Sequence, residues 1–291
     1  APARPSASPR PSALSTRSTP SRRPAVAYPP AVSSIASALA ALWSPPRNIH
    51  PADWCDENVF LPAASSALPG RWRTFAYQRG VFDAFADPHC REITLAWGTQ
   101  LGKTALMQVL LAYVAAEDPG PAMFACPDQD AAQSVFRAKL YPTLDACPAT
   151  APLLPPPHAR TEFFIDLTRM HVHAAWSGSA TKLGEKSIRY IFATELDKWS
   201  RSASTEADPV SLIGERVKAV PNHKIFREST PSTRLTSRIW RFHVSGTRET
   251  FHVPCPHCGH FQPLVLGSQT SGSPGLKWLS PPPTPSPPRA P

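Results

Sequence analysis

The sequence predicts an α/β fold in which a mainly parallel sheet carries helices on both faces. From residue 92 onward, short apolar runs alternate with longer runs whose apolar residues recur at helical spacing. Turn-forming stretches such as Asp118-Pro119-Gly120-Pro121 separate the two kinds of run. Strand–turn–helix units in succession favour a parallel sheet, because helical crossovers join parallel strands.

Each element has a local justification. Residues 69–75 mix aromatic residues with arginines and lead into an amphipathic helix that has Val81, Phe82 and Phe85 on one face. The elements expected after it are a strand over Ile93–Trp97, a helix from Ala105 to Tyr113, a strand over Ala122–Cys126, a helix over Gln129–Leu140, a strand over Ile188–Ala193, a helix over Asp208–Val220, a strand over His223–Glu228 and a helix over Thr233–Phe242.

A hairpin is expected in the middle of the chain. Glu162–Leu167 and Met170–Ala175 are strand-like runs on either side of a two-residue turn. His171 and His173 alternate on one strand face, and their spacing suits a metal ion. Because no third ligand lies nearby in the sequence, a solvated strand face is the favoured interpretation.

Glu92–Thr104 has the architecture of a nucleotide phosphate-binding loop. A strand stops at Gly98, Gly102-Lys103-Thr104 follows, and a helical run begins at once. In such loops, backbone N–H groups face the phosphates, the lysine reaches the β and γ oxygens, and the threonine hydroxyl holds Mg²⁺. The usual pattern has its first glycine where this chain has Trp97, so an ordinary helix start is the alternative.

A glutamine lies shortly upstream of this loop. In many helicase-like ATPases a glutamine so placed makes paired hydrogen bonds to the adenine edge, while a surface glutamine at a helix start is an equal alternative. The candidate ATP-binding residues are Gly98, Thr99, Gln100, Gly102, Lys103, Thr104 and Gln78.

An acidic turn follows the strand Ile188–Ala193. Phosphate-loop ATPases place two acidic functions at such a strand end, one that helps to hold Mg²⁺ and a glutamate that orients the attacking water. The usual order is Asp-Glu, but Thr194 occupies the first position. We therefore expect Glu195 to orient the water, with Lys103 as the other catalytic residue. Thr104 and Asp197 are the candidate magnesium ligands.

Two later segments suggest coupling and DNA contact. Ser229-Thr230-Pro231 follows a strand, where translocating ATPases carry the motif that senses the γ-phosphate; a simple strand-ending turn is the alternative. Arg234, Arg238 and Arg241 lie along a predicted helix and form a candidate phosphate-tracking face.

Cys255-Pro256-His257-Cys258-Gly259 has the tight turn of a zinc knuckle, in which two thiolates meet one ion. Zn²⁺ prefers four ligands. His257 and His260 are nearby, but no second Cys-x-x-Cys follows. Cys255 and Cys258 are therefore candidate ligands of an incomplete zinc site.

The composition predicts disordered ends. The chain has 37 prolines against 13 glycines, and proline crowds residues 1–30 and 268–291. Such segments cannot bury enough apolar surface to offset their chain entropy. Residues 32–43 are apolar and alanine-rich; they resemble a targeting segment, but a short helix packed on the domain is favoured.

Charge and cysteine content restrict the function only weakly. The formal charge is +9, but residues 1–30 and 268–291 contain seven basic and no acidic residues, which leaves +2 for residues 31–267. Net charge alone therefore says little about DNA binding. The six cysteines do not form a secreted disulfide framework, and no run of 18 apolar residues occurs, so a reducing cytoplasm and no membrane span are expected.

Taken together, the segments resemble the ATPase region of tailed-phage terminase large subunits of the lambda-like GpA family. They occur in the family's order and cover roughly residues 53–266. The pieces that carry the resemblance are PGRWRT with Tyr77-Gln78-Arg79, TQLGKT, EDPGP with Cys126-Pro127, SIRYIFATELDKW, Asp208-Pro209-Val210, Ser229-Thr230-Pro231 and VPCPHCGHFQ.

The resemblance implies a P-loop ATPase that uses ATP and Mg²⁺ to drive double-stranded phage DNA into a procapsid. It also implies a homo-oligomer that works with a small terminase subunit and a portal in the bacterial cytoplasm. By position, Lys103 and Thr104 take the phosphate and magnesium roles, Glu195 the catalytic glutamate role and residues 229–231 the coupling role. A deviant first glycine, as at Trp97, is common in this family. The candidates for the trans-acting arginine are Arg79, Arg137, Arg189 and Arg216.

The expected organisation is a low-complexity segment with a short helix at 1–46, the ATPase domain at 47–248, a partial zinc knuckle at 249–267 and a disordered tail at 268–291. The family continues into a nuclease domain, whereas this chain turns proline-rich, so we expect a truncated prophage product or misread frame without endonuclease activity. Terminase-like sequence in flanking frames would test this.

Two other classes of function compete with the packaging motor. One is a helicase-like, nucleic-acid-dependent ATPase, which would need motifs in a second motor lobe. The other is a catalytically defective remnant that binds DNA or partner subunits without turnover, and Thr194 favours it.

Overall fold

The computed structural model describes residues 49–184, 187–200 and 208–264. A six-stranded sheet in the order β3-β8-β7-β4-β6-β5 forms its centre. The strands are β1 (Phe60–Leu61), β2 (Gly70–Arg71), β3 (Glu92–Ala96), β4 (Ala122–Cys126), β5 (Phe164–Leu167), β6 (Met170–Trp176), β7 (Tyr190–Ala193), β8 (Lys224–Ser229), β9 (His252–Pro254) and β10 (Phe261–Pro263).

Helices precede and connect these strands. The α-helices are α1 (Pro51–Asn58), α2 (Ala76–Ala86), α3 (Lys103–Glu117), α4 (Gln129–Val135), α5 (Tyr141–Ala146), α6 (Ala180–Gly184), α7 (Pro209–Glu215) and α8 (Arg238–Ser245). Shorter helical pieces are a π-helical segment over Phe136–Leu140 and 3₁₀ turns over Ala151–Leu153, Pro157–Ala159 and Leu196–Lys198. No helix within the described residues combines the length and apolar character that crossing a membrane requires.

The sheet is mainly parallel, as the sequence predicts. Four neighbouring strand pairs run parallel, from β3 through β8, β7 and β4 to β6. The edge strand β5 runs antiparallel to β6 and forms the expected hairpin, with Leu167 opposite Met170. The smaller pairs β1–β2 and β9–β10 are antiparallel.

Helices cover both faces of the sheet, and successive residues of the central strands belong alternately to two separate cores. Phe124, Phe192 and Phe226 belong to one buried cluster, which also contains residues of α1 to α5. Their neighbours Met123, Ile191 and Ile225 belong to the other cluster, with residues of α6, α7 and α8. The central strands therefore read as continuous apolar runs, which is typical of parallel strands buried on both faces.

Several elements differ in extent from the expectation, among them three helices. The helix predicted over Gln129–Leu140 changes to π-helical backbone at Phe136, just before Pro142, whose ring nitrogen has no N–H to continue the helical ladder. The helix predicted over Thr233–Phe242 begins only at Arg238, because Ser237 caps it by accepting the N–H of Trp240 at 3.0 Å. The helix predicted over Asp208–Val220 ends at Glu215.

The fold brings three strand ends together. β8 lies between β3 and β7, and Ala96 of β3 is paired with Ser229 of β8. The phosphate-loop candidate, the acidic turn and the Ser-Thr-Pro turn therefore leave the same edge of the sheet. The ends predicted to be disordered, 1–46 and 268–291, and the helix predicted over 32–43 lie outside the described residues.

Candidate active site

The loop between β3 and α3 spans residues 97–102. Gln100 (φ 62°) and Gly102 (φ 73°) both have left-handed backbone, which bends the chain sharply between strand and helix. Helix α3 follows at once, and the Leu106 N–H donates to the Gly102 carbonyl at 2.9 Å. The N–H groups of the first turn of α3 therefore lie at the end of this loop, where a helix favours an anion.

The Lys103 ammonium connects this loop to the turn after β8. Its Nζ donates to the Gly98 carbonyl at 2.8 Å and to Thr230 Oγ1 at 3.1 Å. It also lies 4.0 Å from Glu228 Oε2, and the Lys103 side chain is only 10% exposed. A largely buried ammonium surrounded by oxygen atoms is suited to exchange these partners for phosphate oxygens.

Glu228 is the centre of the site, and sequence reasoning missed it. Its side chain is 1% exposed. Oε1 accepts the hydroxyls of Thr194 at 2.5 Å and Thr104 at 3.4 Å. Burial raises the pKa of Glu228 above its ordinary value, although the Thr194 hydroxyl and the Lys103 ammonium oppose that shift. One signal was available: Glu228 is an acid inside a predicted buried strand, immediately before Ser229-Thr230-Pro231.

Thr194 and Glu195 leave the end of β7 beside Glu228. The backbone of Glu195 lies close enough to the Glu228 carboxylate to lower its pKa, and Glu195 itself has left-handed backbone (φ 52°). Its own carboxylate is exposed and accepts Lys198 Nζ at 2.8 Å. The structure therefore brings Lys103 and the backbone of Glu195 to one common carboxylate, while the Glu195 side chain pairs with Lys198.

Asp197 connects the acidic turn to the elements that follow β8. Oδ2 accepts the N–H and the hydroxyl of Ser232 at 2.8 and 2.9 Å, and Oδ1 accepts the Ile239 N–H at 2.9 Å. Burial alone would raise the pKa of Asp197, but these bonds and the nearby Ser237 hydroxyl outweigh it, so the pKa lies below its ordinary value. In this structure the carboxylate, predicted as a magnesium ligand, orders the start of α8.

Gln78 packs against the loop between β3 and α3. It is 1% exposed, its Oε1 accepts the Phe75 N–H at 3.1 Å, and its Nε2 lies 3.1 Å from where a Cβ on Gly102 would be. Its neighbour Tyr77 donates its hydroxyl to the Leu101 carbonyl at 3.3 Å. The start of α2 therefore packs against the loop. That Gln78 binds adenine stays a prediction.

The turn predicted to couple nucleotide state to movement contacts both sides of the site. Thr230 accepts the Lys103 ammonium, and Ser229 Oγ accepts the Asp197 N–H at 3.1 Å. Ser229 is buried and Thr230 is exposed, with half-buried Pro231 directly after them. Residues 229–231 thus bridge the phosphate-loop candidate and the acidic turn.

The predicted zinc knuckle is a hairpin between β9 and β10. The Cys255 N–H donates to the His260 carbonyl at 2.8 Å, and Gly259 closes the turn with left-handed backbone (φ 71°). Backbone N–H groups of His257 and Cys258 donate to the Cys255 sulfur and lower its pKa. Among the described residues, no group of three or more His, Cys, Asp or Glu side chains is arranged to hold a metal ion. On β6, exposed His171 pairs with Asp166 at 2.8 Å.

Three of the four candidate trans-acting arginines are either held in ion pairs or half-buried. Arg79 pairs with Asp53 at 2.7 Å, Arg189 binds Asp118 through both of its terminal nitrogens, and Arg216 is half-buried. Arg137, on the π-helical segment, is exposed and forms no ion pair within the part of the chain that the structure describes. The candidate phosphate-tracking arginines differ too: Arg238 pairs with Asp208 at 2.9 Å, whereas Arg234 and Arg241 are exposed.

Comparison with known proteins identifies a common family. The family described as "Phage terminase large subunit gpA, ATPase domain" matches residues 66–285. The large terminase subunit of Enterobacteria phage P21 is 28% identical over 254 residues, which are 85% of this chain and 39% of that protein. That of Escherichia phage lambda is 28% identical over 232 residues, 78% of this chain and 36% of that protein. The matches confirm the resemblance predicted from the motifs.

One solved structure supports the fold. The crystal structure of the HK97 bacteriophage large terminase matches with a TM-score of 0.57 and 14% identity, over 70% of this chain and 42% of that chain. At this identity the likeness concerns the architecture alone. The chain spans less than two fifths of the length of the two phage subunits that it matches in sequence.

Proposed function

We propose a function from the family to which this chain belongs, that of phage terminase large subunit gpA ATPase domains. In this proposal the chain is the ATP-hydrolysing motor segment of a DNA-packaging machine. The observation that carries the proposal is the convergence of Lys103, Thr104 and Glu228 at one edge of the sheet. There a helix N-terminus, an ammonium, a hydroxyl and a carboxylate meet, which are the groups that ATP with Mg²⁺ requires.

Lys103 acts by exchanging partners. When ATP enters, its β and γ oxygens replace the Gly98 carbonyl and the Thr230 hydroxyl around the ammonium. The loop residues Gly98, Thr99, Gln100 and Gly102 surround the phosphates, and Thr104 is the hydroxyl ligand of Mg²⁺. The bound Mg²⁺ would neutralise charge on the β and γ oxygens.

Glu195 orients the attacking water in this proposal. Glu195 has left-handed backbone, and 45% of its side chain is exposed. The carboxylate must leave Lys198 to reach a water beside the γ-phosphate. The backbone of Glu195 lies next to the Glu228 carboxylate, so this residue borders the centre of the site.

Coupling to movement follows from the turn at residues 229–231. Lys103 binds Thr230 when no phosphate competes, so loss of the γ-phosphate restores the contact with this turn. Asp197 then connects the turn to the start of α8 through Ser232 and Ile239. Helix α8 and the preceding turn carry the exposed Arg234 and Arg241, which are the proposed contacts to DNA phosphates.

The partners belong to the proposal as well. They are double-stranded phage DNA, a small terminase subunit, a portal on the procapsid and further copies of this chain, in the cytoplasm of a bacterial host. Zinc is included at Cys255 and Cys258, supported by the hairpin and its N–H···S bonds, with the other ligands supplied from elsewhere. Measuring the zinc content of the purified protein tests the proposed zinc site.

Lys103→Ala tests the nucleotide site. The substitution removes the ammonium that faces the phosphates, so we expect ATP hydrolysis to fall about 10²–10³-fold. Phosphate release, measured beside nucleotide-binding calorimetry, gives the result. Lys218→Ala is the matched control, because Lys218 is an exposed lysine paired with Glu215 on the surface.

Two results would count against the motor. Unchanged hydrolysis in Lys103→Ala would refute the assignment of the site. Nucleotide binding by the unmutated protein without any phosphate release would favour the second candidate, a remnant that binds without turnover; the hydroxyl of Thr194 in place of a carboxylate is the observation that supports it.

A further inference from the structure

Thr194 leaves the proposed site without a carboxylate at the end of β7. Phosphate-loop ATPases place an aspartate there to help hold Mg²⁺. A neutral hydroxyl cannot supply the negative charge that a hard divalent cation prefers in its protein ligands. Either this chain binds Mg²⁺ poorly, or a carboxylate reaches the same place from another element.

The neighbouring strand supplies such a carboxylate. β8 lies between β7 and β3, and Glu228 is near its carboxyl end. Oε1 of Glu228 lies 2.5 Å from the hydroxyl of Thr194 and 3.4 Å from the hydroxyl of Thr104. The carboxylate therefore touches both the residue that lacks the acid and the hydroxyl predicted to bind the metal.

The other oxygen of Glu228 is unsatisfied. Oε2 is buried and has no hydrogen-bond partner among the described residues. The nearest ammonium, Lys103 Nζ, is 4.0 Å away and is already bonded to Gly98 and Thr230. A buried carboxylate oxygen without a partner is costly, and such groups are retained where a ligand completes them. Mg²⁺ needs only one or two protein ligands beside phosphate oxygens and water.

We propose that Glu228 is the carboxylate ligand of the magnesium site, so that the acid has moved from β7 to the neighbouring strand β8. Thr104 Oγ1 is the second protein ligand, and the Thr194 hydroxyl holds Glu228 in position. This inference rests on the proposed function and deepens it, because the ligand class is a divalent cation bound together with a nucleoside triphosphate.

Removing the carboxylate at position 228 and restoring one at position 194 tests the inference. The variants are Glu228→Gln, the double variant Thr194→Asp/Glu228→Gln, and the control Glu92→Gln, whose acid lies exposed on β3 and pairs with Arg227. Mn²⁺ is the probe, and its binding in the presence of a non-hydrolysable ATP analogue is followed by electron paramagnetic resonance. A fluorescent ATP analogue reports nucleotide binding with and without Mn²⁺, and thermal denaturation checks folding.

We expect Glu228→Gln to weaken Mn²⁺ binding about tenfold or more, since even indirect metal contacts contribute that much. Nucleotide binding without metal should persist, Glu92→Gln should match the unmutated protein, and the double variant should regain most of the lost affinity. If Glu228→Gln does not fold, Glu228→Asp, which keeps the charge and shortens the side chain, is expected to weaken Mn²⁺ binding instead.

Unchanged Mn²⁺ affinity in Glu228→Gln would overturn the inference and leave the motor proposal intact. The same holds for a double variant that binds Mn²⁺ as weakly as Glu228→Gln. If the unmutated protein binds no nucleotide with or without Mn²⁺, the proposed function fails and this inference fails with it.

Discussion

At the scale of single residues, the phosphate-loop candidate depends on backbone that few side chains accept. Gly102 has φ 73° and lies directly above the Gln78 amide. A side chain there would be strained by the left-handed backbone and would push against a buried group. Gly102 therefore sets both the direction in which α3 begins and how closely α2 supports the loop.

The contrast between two glycines tests this point. Gly102→Ala should lower the free energy of unfolding by about 1–2 kcal/mol, because alanine disfavours left-handed backbone. Gly80→Ala should instead raise it by about 0.5–1 kcal/mol, because Gly80 lies in the interior of α2 with open space around it. Chemical denaturation measures both, and equal effects would contradict the assigned backbone.

Glu228 illustrates how one residue can combine several tasks. Its carboxylate contacts the hydroxyls of Thr104 and Thr194 and lies near Lys103. The residue is buried at a cost that the described residues do not fully compensate, as the unsatisfied Oε2 shows. Such a cost is common where a protein keeps a site ready for a ligand.

At the scale of elements, the acidic turn after β7 is fastened to the start of α8. The Asp197 carboxylate accepts two hydrogen bonds from Ser232 and one from the Ile239 N–H at the first turn of the helix. An acid near a helix N-terminus also interacts favourably with the helix dipole. This contact gives the site a physical connection to the helix that carries the candidate DNA-binding arginines.

Asp197→Ala should lower the free energy of unfolding by about 1–3 kcal/mol at pH 7, since it removes two hydrogen bonds from the exposed Ser232 and leaves the partly buried Ile239 N–H unpaired. The pKa of Asp197 is lowered in the folded protein, so this stabilisation is present above its ordinary value of 3.8 and is lost as the pH falls through the lower folded value. The difference between variant and unmutated protein should therefore shrink below about pH 4.

Denaturation as a function of pH checks this prediction. Asp166→Ala is the control, because Asp166 is exposed and its one ion pair among the described residues is with the exposed His171. It should change stability by no more than about 0.5 kcal/mol. A difference for Asp197→Ala that stays constant from pH 7 down to pH 3 would show that the charge of this carboxylate does not matter.

At the scale of the whole molecule, the proposed motor contains several copies of this chain, and some of its arginines are the candidates for a contact between them. Motors of this general kind complete a site with an arginine from a neighbouring subunit. Among the four candidates, Arg79 and Arg189 are held in ion pairs and Arg216 is half-buried. Exposed Arg137 can reach a neighbour without breaking an ion pair to the described residues.

Mixing two inactive variants tests this assignment. Arg137→Ala alone should lower hydrolysis about 10³-fold, while Lys103→Ala is inactive for a different reason. In an equal mixture, about one interface in four pairs an intact Arg137 with an intact Lys103, so about a quarter of the activity should return. Arg73→Ala, at another exposed arginine, is the control. A mixture no more active than its parts would argue against Arg137 acting between subunits.

The sequence by itself determined the fold class and the location of the motifs. The strand at Ala122–Cys126, the hairpin around Thr168-Arg169 and the mainly parallel sheet were all predictable. Each of these features has a local signal: apolar periodicity, turn residues or the Gly102-Lys103-Thr104 motif. Every such signal is contained within a short stretch of sequence. Local patterns of this kind can be recognised without knowing what packs against them.

Only the tertiary structure decided which side chains meet. Lys103 lies near Glu228 because β8 is inserted between β3 and β7, and that order depends on pairings between segments more than 100 residues apart. The same strand order puts Glu228 of β8, and not the Glu195 side chain, beside Lys103 and Thr104. The contact between Asp197 and the start of α8 is likewise a tertiary contact. Strand order is set by the packing of the whole sheet, and no local pattern in the sequence specifies it.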